Sequence, residues 1–307
     1  MHTSLIICSR NRAEQLRLAL AHLLTLDPLP PRFELILIDS ASTDETGAVM
    51  RGFAASSPWP VTIRTADRQG VGHARNCGIR AAQGELLVFT DDDCYLAPDY
   101  FTHLLAAMGG AAHDFGGGDV RLFDPADAPV SIAHYGLTRI IPPHSVLPPG
   151  LILGANFFFL RHVFMAAGLF LDDLGSGTPY PCEDAEMVAR ASRLGFSGVL
   201  LPEAICHHHH RRRPGTTAMD RLIRDYDAGG GTYYALMLAA GERSIWDLWA
   251  ARSLPTGDLS SWPARSLERL QREMQSPANL LADLLEARHA HDAPTFAAAP
   301  ADCRLPC

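Results

Sequence analysis

The chain contains no lysine, because all 26 of its cationic residues are arginine. Without lysine, no lysine Schiff base with a carbonyl substrate or with pyridoxal phosphate can form. The phosphate-binding loop that ends in Gly-Lys-Ser/Thr is excluded for the same reason. Three large enzyme classes are therefore ruled out by composition alone.

The chain is also poor in paired cysteines and in long apolar runs. Its seven cysteines are an odd number and show no Cys-x-x-Cys spacing, so we expect no disulfide framework and no structural zinc site. No run approaches the ~20 apolar residues of a membrane-spanning helix. The N-terminal "MHTSLIICSR" has no basic segment before its apolar run, which predicts a first strand and not a signal peptide. We expect a cytoplasmic location, with peripheral contact at the inner membrane face still open.

Net charge and hydropathy indicate a globular protein. The formal charge of −8 argues against a nucleic-acid binder held by a general basic field. A hydrophobic content of 47% makes disorder over most of the chain untenable. A chain of 307 residues is long enough for one large domain with a smaller appendage.

The first hundred residues alternate between β-rich runs and helical patterns, which predicts an α/β fold with a mostly parallel sheet covered by helices. In such sheets, ligands bind beyond the carboxyl ends of the strands. The predicted strands are Ser4–Cys8, Phe33–Asp39, Val61–Thr65 and Glu85–Thr90, and the predicted helices are Ala13–Leu26, Thr43–Ala55 and Val71–Ala82.

The composition changes near Pro214, where long helical patterns begin. We therefore predict a domain over residues 1–213, a helical appendage over 214–292 and a Pro/Ala-rich tail over 293–307. Trp246, Trp249 and the leucine stripes of the appendage favour core or homodimer contacts over a membrane-surface or acceptor-docking face. Further upstream, "LPPGLILGANFFFLRHVFMAAG" is interpreted as a strand, a Gly-Ala-Asn turn and a helix.

Three consecutive acids, Asp91, Asp92 and Asp93, follow the apolar run of "ELLVFTDDDC". Buried carboxylates are costly unless they are paired or bind a cation. Carboxylate oxygens suit Mg²⁺ or Mn²⁺, and acids one position apart can share an ion, or divide an ion and a sugar hydroxyl between them. An acidic surface loop is the alternative, but the apolar run indicates a buried strand that ends in a cleft.

Other polar groups also lie at predicted strand ends. Asp39 can accept a hydrogen bond from a nucleobase N–H or a ribose hydroxyl, whereas Asp44 fits a helix cap. Arg75 is either a phosphate or base contact or a surface helix residue. Glu183 and Asp184 begin a helix, where acids either interact favourably with the helix dipole or serve as a general base.

The segment "CHHHHRRR", from Cys206 to Arg213, follows the last predicted strand of the domain. A neutral imidazole there can bind a metal ion, and the arginines can bind a diphosphate, an anionic lipid or nucleic acid. Most charge runs are simply solvated, so we expect only one or two of these residues to be functional.

Together these segments resemble the family-2 glycosyltransferases with the GT-A fold. The resemblance extends from residue 3 to about residue 210. It is carried, in order, by "SLIICSRNRAEQL", "LILIDSASTDET", "GVGHARNCGIRAAQGELLVFTDDDC", "GANFFFLRHVFMAAGLF" and "CEDAEMVARASRLGFSGVLLPEAICH".

The resemblance implies a role for each matching residue. Ser9, Arg10, Asn11 and Arg12 would line the nucleotide pocket, with Asp39 on the base and Arg75 on base or phosphate. Asp91 would face the ribose, Asp93 would bind a Mn²⁺ or Mg²⁺ ion, and Asp92 would touch the donor sugar or orient its neighbours. Asp184, beside Glu183, would be the catalytic base, and Asn156 would lie on the acceptor side. His207 aligns best with a metal-binding or diphosphate-binding histidine, although any of His207–His210 fits that position.

The implied reaction is inverting transfer of one sugar from a nucleoside-diphosphate sugar to an acceptor hydroxyl. The Gln-x-x-Arg-Trp motif of processive synthases is not evident, which favours a single addition. Two alternatives stay open: a nucleotidyltransferase that makes nucleotide sugars, and a non-catalytic nucleotide-sugar-binding module. The first normally has a Gly-rich loop after its first strand, where this chain has "CSRNRAEQ", and the second has no need of both Asp91–Asp93 and Glu183-Asp184. The identity of the sugar, the nucleotide and the acceptor is not determined by these patterns.

Overall fold

The computed structural model describes residues 1–110, 112–255 and 262–289, with the backbone alone for 284–289. The predicted tail over 293–307 lies outside these residues. The strands are β1 (His2–Ser9), β2 (Arg32–Ser40), β3 (Val61–Ala66), β4 (Leu86–Asp91), β5 (Cys94–Leu96), β6 (Phe115–Leu122), β7 (Arg139–Ile141), β8 (Asn156–Leu160) and β9 (Gly198–His208). The helices are α1 (Ala13–Leu23), α2 (Thr46–Ser56), α3 (Val71–Ala81), α4 (Tyr100–Met108), α5 (Arg161–Ala167), α6 (Glu183–Arg193), α7 (Thr217–Ala239), α8 (Ile245–Ser253) and α9 (Ala264–His289).

One sheet runs through the molecule in the order β3-β2-β1-β4-β8-β6-β9-β5, with β7 paired to β9. The first four strands of this order are parallel, as the strand–helix alternation predicts. Ser9 lies opposite Asp39, and Cys8 lies opposite Asp91. The carboxyl ends of β1, β2 and β4 therefore meet at one edge of the sheet.

The other half of the sheet is mixed. Strand β8 is antiparallel to both β4 and β6, while β6 and β9 are parallel. The predicted order of strand, turn and helix before α5 is wrong in detail, because the strand is "NFFFL" itself and follows the Gly-Ala-Asn turn. Phe157, Phe158 and Phe159 are fully buried there, since helices cover both faces of this strand.

Successive side chains of the central strands pack alternately into two hydrophobic cores, one on each face of the sheet. Leu5 and Ile7 pack with α1, α2 and α4, whereas Ile6 packs with α3, α5 and α6. This continuous apolar pattern is what a strand buried on both faces requires.

The three C-terminal helices pack on the N-terminal part of α6 and the loops around it. Tyr233 of α7 is fully buried and donates a hydrogen bond to the carbonyl of Leu147 at 2.5 Å. Within the described part of the chain, no helix combines the length and the apolar character that crossing a bilayer requires. Tyr233, Met237 and Leu280 of these helices pack in one apolar cluster with Leu174 and Tyr180.

Candidate active site

A cavity of about 370 Å³ opens at the carboxyl edge of the sheet. The ends of β1 and β4 form one wall, and the first turns of α3 and α6 form another. Most of the residues singled out from the sequence line it: Ser9, Arg10, Arg12, Arg75, Asp91, Asp92, Asp93, Glu183 and Asp184.

The three consecutive aspartates point to different partners. Asp91, the last residue of β4, lies 3.5 Å from the Arg75 guanidinium and is half-buried. Asp92 accepts a hydrogen bond from the Ser9 hydroxyl at 2.5 Å and lies 2.8 Å from Arg12 Nε. Asp93 pairs with Arg12 and lies 3.2 Å from His208 Nε2. The divergence separates three charges that would otherwise repel each other.

The environments of Asp92 and Asp93 shift their pKa values in opposite directions. Burial raises the pKa of Asp92 to about 7, and the Arg12 charge offsets this only in part. Burial also raises the pKa of Asp93, but the hydrogen bonds and charges of His208 and Arg12 outweigh it and lower the value to about 2. Asp93 is therefore the ionised member of the buried pair.

The same corner has the donor set of a divalent-cation site. One ligand atom each from Asp91, Asp93, Cys94 and His208 lies within 4.8 Å of the others. Two carboxylates and an imidazole suit Mn²⁺ or Mg²⁺. The Cys94 thiol is a soft donor and suits neither of these hard cations. Asp91, Asp93 and His208 therefore fit the ion that the sequence predicts.

The histidine at this corner is His208, not the predicted His207. Successive side chains of a strand point to opposite faces, and β9 turns His208 toward Asp93. His207 lies on the other face, where burial and then the Arg121 charge lower its pKa. The prediction of His207 as the metal-facing residue is thus off by one position.

Arg75 is buried and already paired with carboxylates. Its guanidinium lies 2.6 Å from Glu183 Oε1, donates a hydrogen bond to the Gly154 carbonyl at 3.1 Å and lies 4.9 Å from the centre of the Phe157 ring. Burial and the neighbouring Asp184 charge raise the pKa of Glu183 to about 7, although Arg75 lowers it. Arg75 therefore links Glu183 to Asp91 across the base of the cavity.

Asp184 follows Glu183 in the chain but has a different environment. Its Oδ2 accepts a hydrogen bond from the Gly154 N–H at 2.8 Å, and its Oδ1 accepts one from the Ala185 N–H at 2.7 Å. No ion pair involves it among the residues that the structure describes. Each carboxylate oxygen can accept a second hydrogen bond, so Asp184 offers the cavity a hydrogen-bond acceptor.

Two residues predicted for the nucleotide pocket stabilise the neighbouring loop. Asp39 accepts a hydrogen bond from the Ser42 N–H at 2.9 Å, and Asn11 accepts one from the Thr43 N–H at 2.7 Å. Neither belongs to the lining of the central cavity, where Ser40 is the nearest member of β2. The structure therefore places Asp39 and Asn11 at the margin of the site.

The prediction of Asn156 as an acceptor-side residue is corrected by its position inside the sheet. Its side chain is fully buried, accepts from the Tyr100 hydroxyl at 2.7 Å and donates to the carbonyls of Asp119 and Ala204. Asn156 does not line this cavity, nor the second cavity that adjoins it at Asp184. Asn156 joins β8 to β6 and β9.

A sequence model of the family described as "Glycosyl transferase family 2" matches residues 4–136, the segment that contains β1 to β6 and the acidic triplet. This segment of the chain, somewhat less than half of its length, is therefore similar to the family-2 glycosyltransferases.

Curated relatives carry the same kind of name. The glycosyltransferase AglE of Haloferax volcanii is 25% identical over 205 residues, which is 66% of this chain and 66% of that protein. The validoxylamine A glucosyltransferase of Streptomyces hygroscopicus subsp. limoneus is 32% identical over 109 residues, 36% of this chain and 24% of that protein. The matches thus span no more than about two-thirds of these relatives.

Solved structures show that the fold is GT-A. The mannosyltransferase PcManGT from Pyrobaculum calidifontis, in complex with GDP-Man and Mn²⁺, has a TM-score of 0.63 at 18% identity and covers 94% of this chain and 79% of its own. TarS 1-349 of S. aureus has a TM-score of 0.61 at 15% identity and covers 95% of this chain and 88% of its own. At these identities the likeness concerns the fold alone.

Several residues that line the cavity were not singled out by number from the sequence, although His208 and Arg212 belong to the segment "CHHHHRRR". They are Ser131, His208, Arg212 and Tyr226. The alternation of β9 could have identified His208, because it lies two positions after the buried Cys206 and therefore faces the same side of the strand. Arg213 pairs with Asp124 whereas Arg212 faces the cavity, a difference that depends on loop contacts the sequence does not reveal.

Proposed function

We propose that this protein is an inverting glycosyltransferase, which transfers one sugar from a nucleoside-diphosphate sugar to an acceptor hydroxyl. The observation that carries the proposal is that one cavity has a cation-binding corner at Asp91, Asp93 and His208 and, apart from it, the carboxylate of Asp184, which has no ion-pair partner among the described residues. In-line displacement needs both, because the leaving group and the attacking hydroxyl occupy opposite sides of the anomeric carbon. Related folds solved with GDP-Man or UDP-GlcNAc support the donor class.

The leaving-group side of the cavity is the acidic corner. Asp91, Asp93 and His208 would hold Mn²⁺ or Mg²⁺, and the bound ion would offset the charge of the departing nucleoside diphosphate. Arg12 fixes Asp92 and Asp93 against β1, and Ser9 holds the second oxygen of Asp92. Arg12 and Ser9 thus keep the corner in its orientation.

The acceptor side of the cavity is Asp184. Two backbone N–H groups orient its carboxylate, which is ready to take the proton of an acceptor hydroxyl as the new glycosidic bond forms. Glu183 is held by Arg75 and is a positioning residue. With the base on one side and the diphosphate on the other, an α-linked donor gives a β-linked product.

Asp184→Asn tests the base directly. The amide keeps the shape of the side chain but cannot take a proton, so we expect transfer to fall by about 10²–10⁴-fold. Nucleotide binding, measured by calorimetry with UDP or GDP and Mn²⁺, should persist. Asp225→Asn, on an exposed turn of α7, is the matched control. Turnover like that of the wild type in Asp184→Asn would remove Asp184 from this role.

His208→Ala and His207→Ala test the metal-binding corner. His208 faces Asp93, so its loss should weaken Mn²⁺-dependent nucleotide binding by about tenfold or more, a loss that even outer-shell changes can cause. His207 faces the other side of β9 and should not change it. Titration of UDP or GDP with Mn²⁺, and with EDTA as the metal-free control, measures both. Equal effects of the two variants would contradict the assignment of His208.

A further inference from the structure

A second cavity, of about 400 Å³, lies directly behind Asp184. Ser131, Leu153, Pro181, Asp184 and Tyr226 line both it and the first cavity. Its outer wall is formed by α7, α8 and α9, which follow the segment that the family model matches. The second cavity therefore has the Asp184 carboxylate at its inner end and helices from outside the matched segment around it.

A run of three glycines in α7 shows that this space is built into the helix. A Cβ at Gly229 would lie 2.1 Å from the Pro181 carbonyl oxygen, and one at Gly231 would lie 1.9 Å from the Glu273 carbonyl oxygen. Close packing thus requires both of these glycines. At Gly230 the nearest atom to a Cβ would be Glu273 Oε1 at 4.0 Å, so packing does not require a glycine there. Its missing side chain leaves room in the cavity, at the known cost of a glycine inside a helix.

Among the described residues, the charged side chains that line the second cavity are paired, except for Asp184 and Arg252. Asp227 pairs with Arg272 at 2.8 Å, and Glu273 pairs with Arg269 at 2.8 Å. Arg252 lies within 4.0 Å of no carboxylate among the residues that the structure describes, and donates only to the Pro149 carbonyl. Since the acids other than Asp184 are already held, Arg252 gives this wall a positive charge that no carboxylate of the described residues neutralises.

A buried hydroxyl lies in the field of Arg252. Tyr234 lines the cavity, is only 2% exposed and, among the described residues, has no hydrogen-bond partner for its hydroxyl. Arg252 lines the same cavity. Burial raises the pKa of the Tyr234 hydroxyl, and the Arg252 charge opposes this shift. An unpartnered buried hydroxyl is costly, and a bound anion would satisfy it together with the guanidinium.

We propose that this cavity is the acceptor site and that the acceptor is a compact alcohol, of one or two sugar rings, that carries a phosphate or a carboxylate. Its reacting hydroxyl would lie at Asp184 and its anionic group at Arg252 and Tyr234. A volume of about 400 Å³ is at the small end of ligand pockets, which span roughly 300–1,000 Å³. This inference rests on the proposed glycosyltransferase function for the identity of the base.

Calorimetric titration tests the site without requiring turnover. Glucose 6-phosphate, glucuronate and glucose are titrated into the full chain, with and without UDP and Mn²⁺. We expect at least one of the two anionic probes to bind about tenfold or more tightly than glucose. The phosphate and carboxylate probes show which anion the site takes.

Two variants and one control locate the binding. Gly230→Leu should fill the cavity and weaken the binding of the preferred anionic probe by at least tenfold. Arg252→Gln should remove the preference for that probe over glucose. Gly52→Leu is the matched control, because Gly52 is also inside a helix with nothing within 4 Å of a Cβ, and it lies away from the site. Gly52→Leu should bind the probe as the wild type does. If Gly230→Leu does not fold, probe binding by Arg252→Gln still tests the inference.

No preference for either anionic probe in the wild type would overturn the inference, as would unchanged binding in both Gly230→Leu and Arg252→Gln. A separate readout tests the reaction itself: release of UDP or GDP from UDP-glucose or GDP-mannose by the wild type with Mn²⁺. Probe binding without nucleotide release would count against the proposed function, whereas release without probe binding would count against the acceptor site alone.

Discussion

Arg75 shows how much of this site depends on one buried side chain. It is 4% exposed and lies between Glu183 and Asp91, two groups more than 90 residues apart in the chain. Burial lowers the pKa of Arg75, but the charges of Glu183 and Asp91 raise it above its ordinary value. The guanidinium therefore stays charged and holds both carboxylates near the cavity.

Arg75→Leu should unfold more easily, because it leaves Glu183 buried without a counter-charge. We expect a loss of about 3–5 kcal/mol in the free energy of unfolding, measured in urea. The double variant Arg75→Leu/Glu183→Gln should recover part of that loss. Arg64→Leu, at an exposed position of β3, should change stability by no more than about 0.5 kcal/mol. An Arg75→Leu protein as stable as the Arg64→Leu protein would show that the buried pair contributes little.

At the scale of the element, α7 is a helix whose sequence contradicts its local propensity. Three successive glycines in a helix interior are unfavourable, and yet the helix continues for 23 residues. Its packing explains this, because Gly229 and Gly231 let α7 approach Pro181 and α9 closely. Thr232 adds a hydrogen bond to Ser276 of α9 at 2.6 Å.

The three glycines should respond differently to the same substitution. Gly229→Ala and Gly231→Ala should each destabilise the protein by about 1–3 kcal/mol, the usual cost of overpacking. Gly230→Ala should stabilise it by roughly 0.5–1 kcal/mol, because the methyl group enters free space and alanine favours the helix. Thermal unfolding of the three variants side by side measures this. A lower melting temperature for Gly230→Ala would show that the space around Gly230 is smaller than the structure indicates.

At the scale of the whole molecule, the predicted boundary near Pro214 is a change of composition within a shared core. Leu174 and Tyr180 pack in one cluster with Tyr233, Met237 and Leu280 of the appendage. The appendage also provides Tyr226 to the first cavity and most of the outer wall of the second. The division into residues 1–213 and 214–292 remains a prediction.

Because this core is shared, the domain and the appendage should unfold together. We expect scanning calorimetry to give a single transition whose calorimetric and van't Hoff enthalpies agree. Adding UDP or GDP with Mn²⁺ should shift that whole transition to higher temperature, since the ligand binds the native state. Two transitions, of which only one moves with nucleotide, would show that the appendage folds independently.

Local patterns were sufficient for the first half of the sheet. The four predicted strands and three predicted helices of residues 1–91 are confirmed, with ends that shift by a few residues. Strand β5 and helix α4 were missed, since β5 has only three residues and its partner β9 lies more than 100 residues away. The strand before α5 was misplaced because a short apolar run looks alike in a strand and in a buried helix.

The sequence by itself determined the class of this protein. The absence of lysine excluded several kinds of enzyme chemistry, and the strand–helix alternation predicted the parallel sheet. The acids at the predicted strand ends indicated its carboxyl edge. Only the tertiary structure decided which polar groups meet. Strand β9 presents His208 and not His207 to Asp93, the sheet interior takes Asn156, and Arg75 binds Glu183. These outcomes depend on contacts between residues that are distant in the chain, and on a strand period of two, in which one position reverses the face.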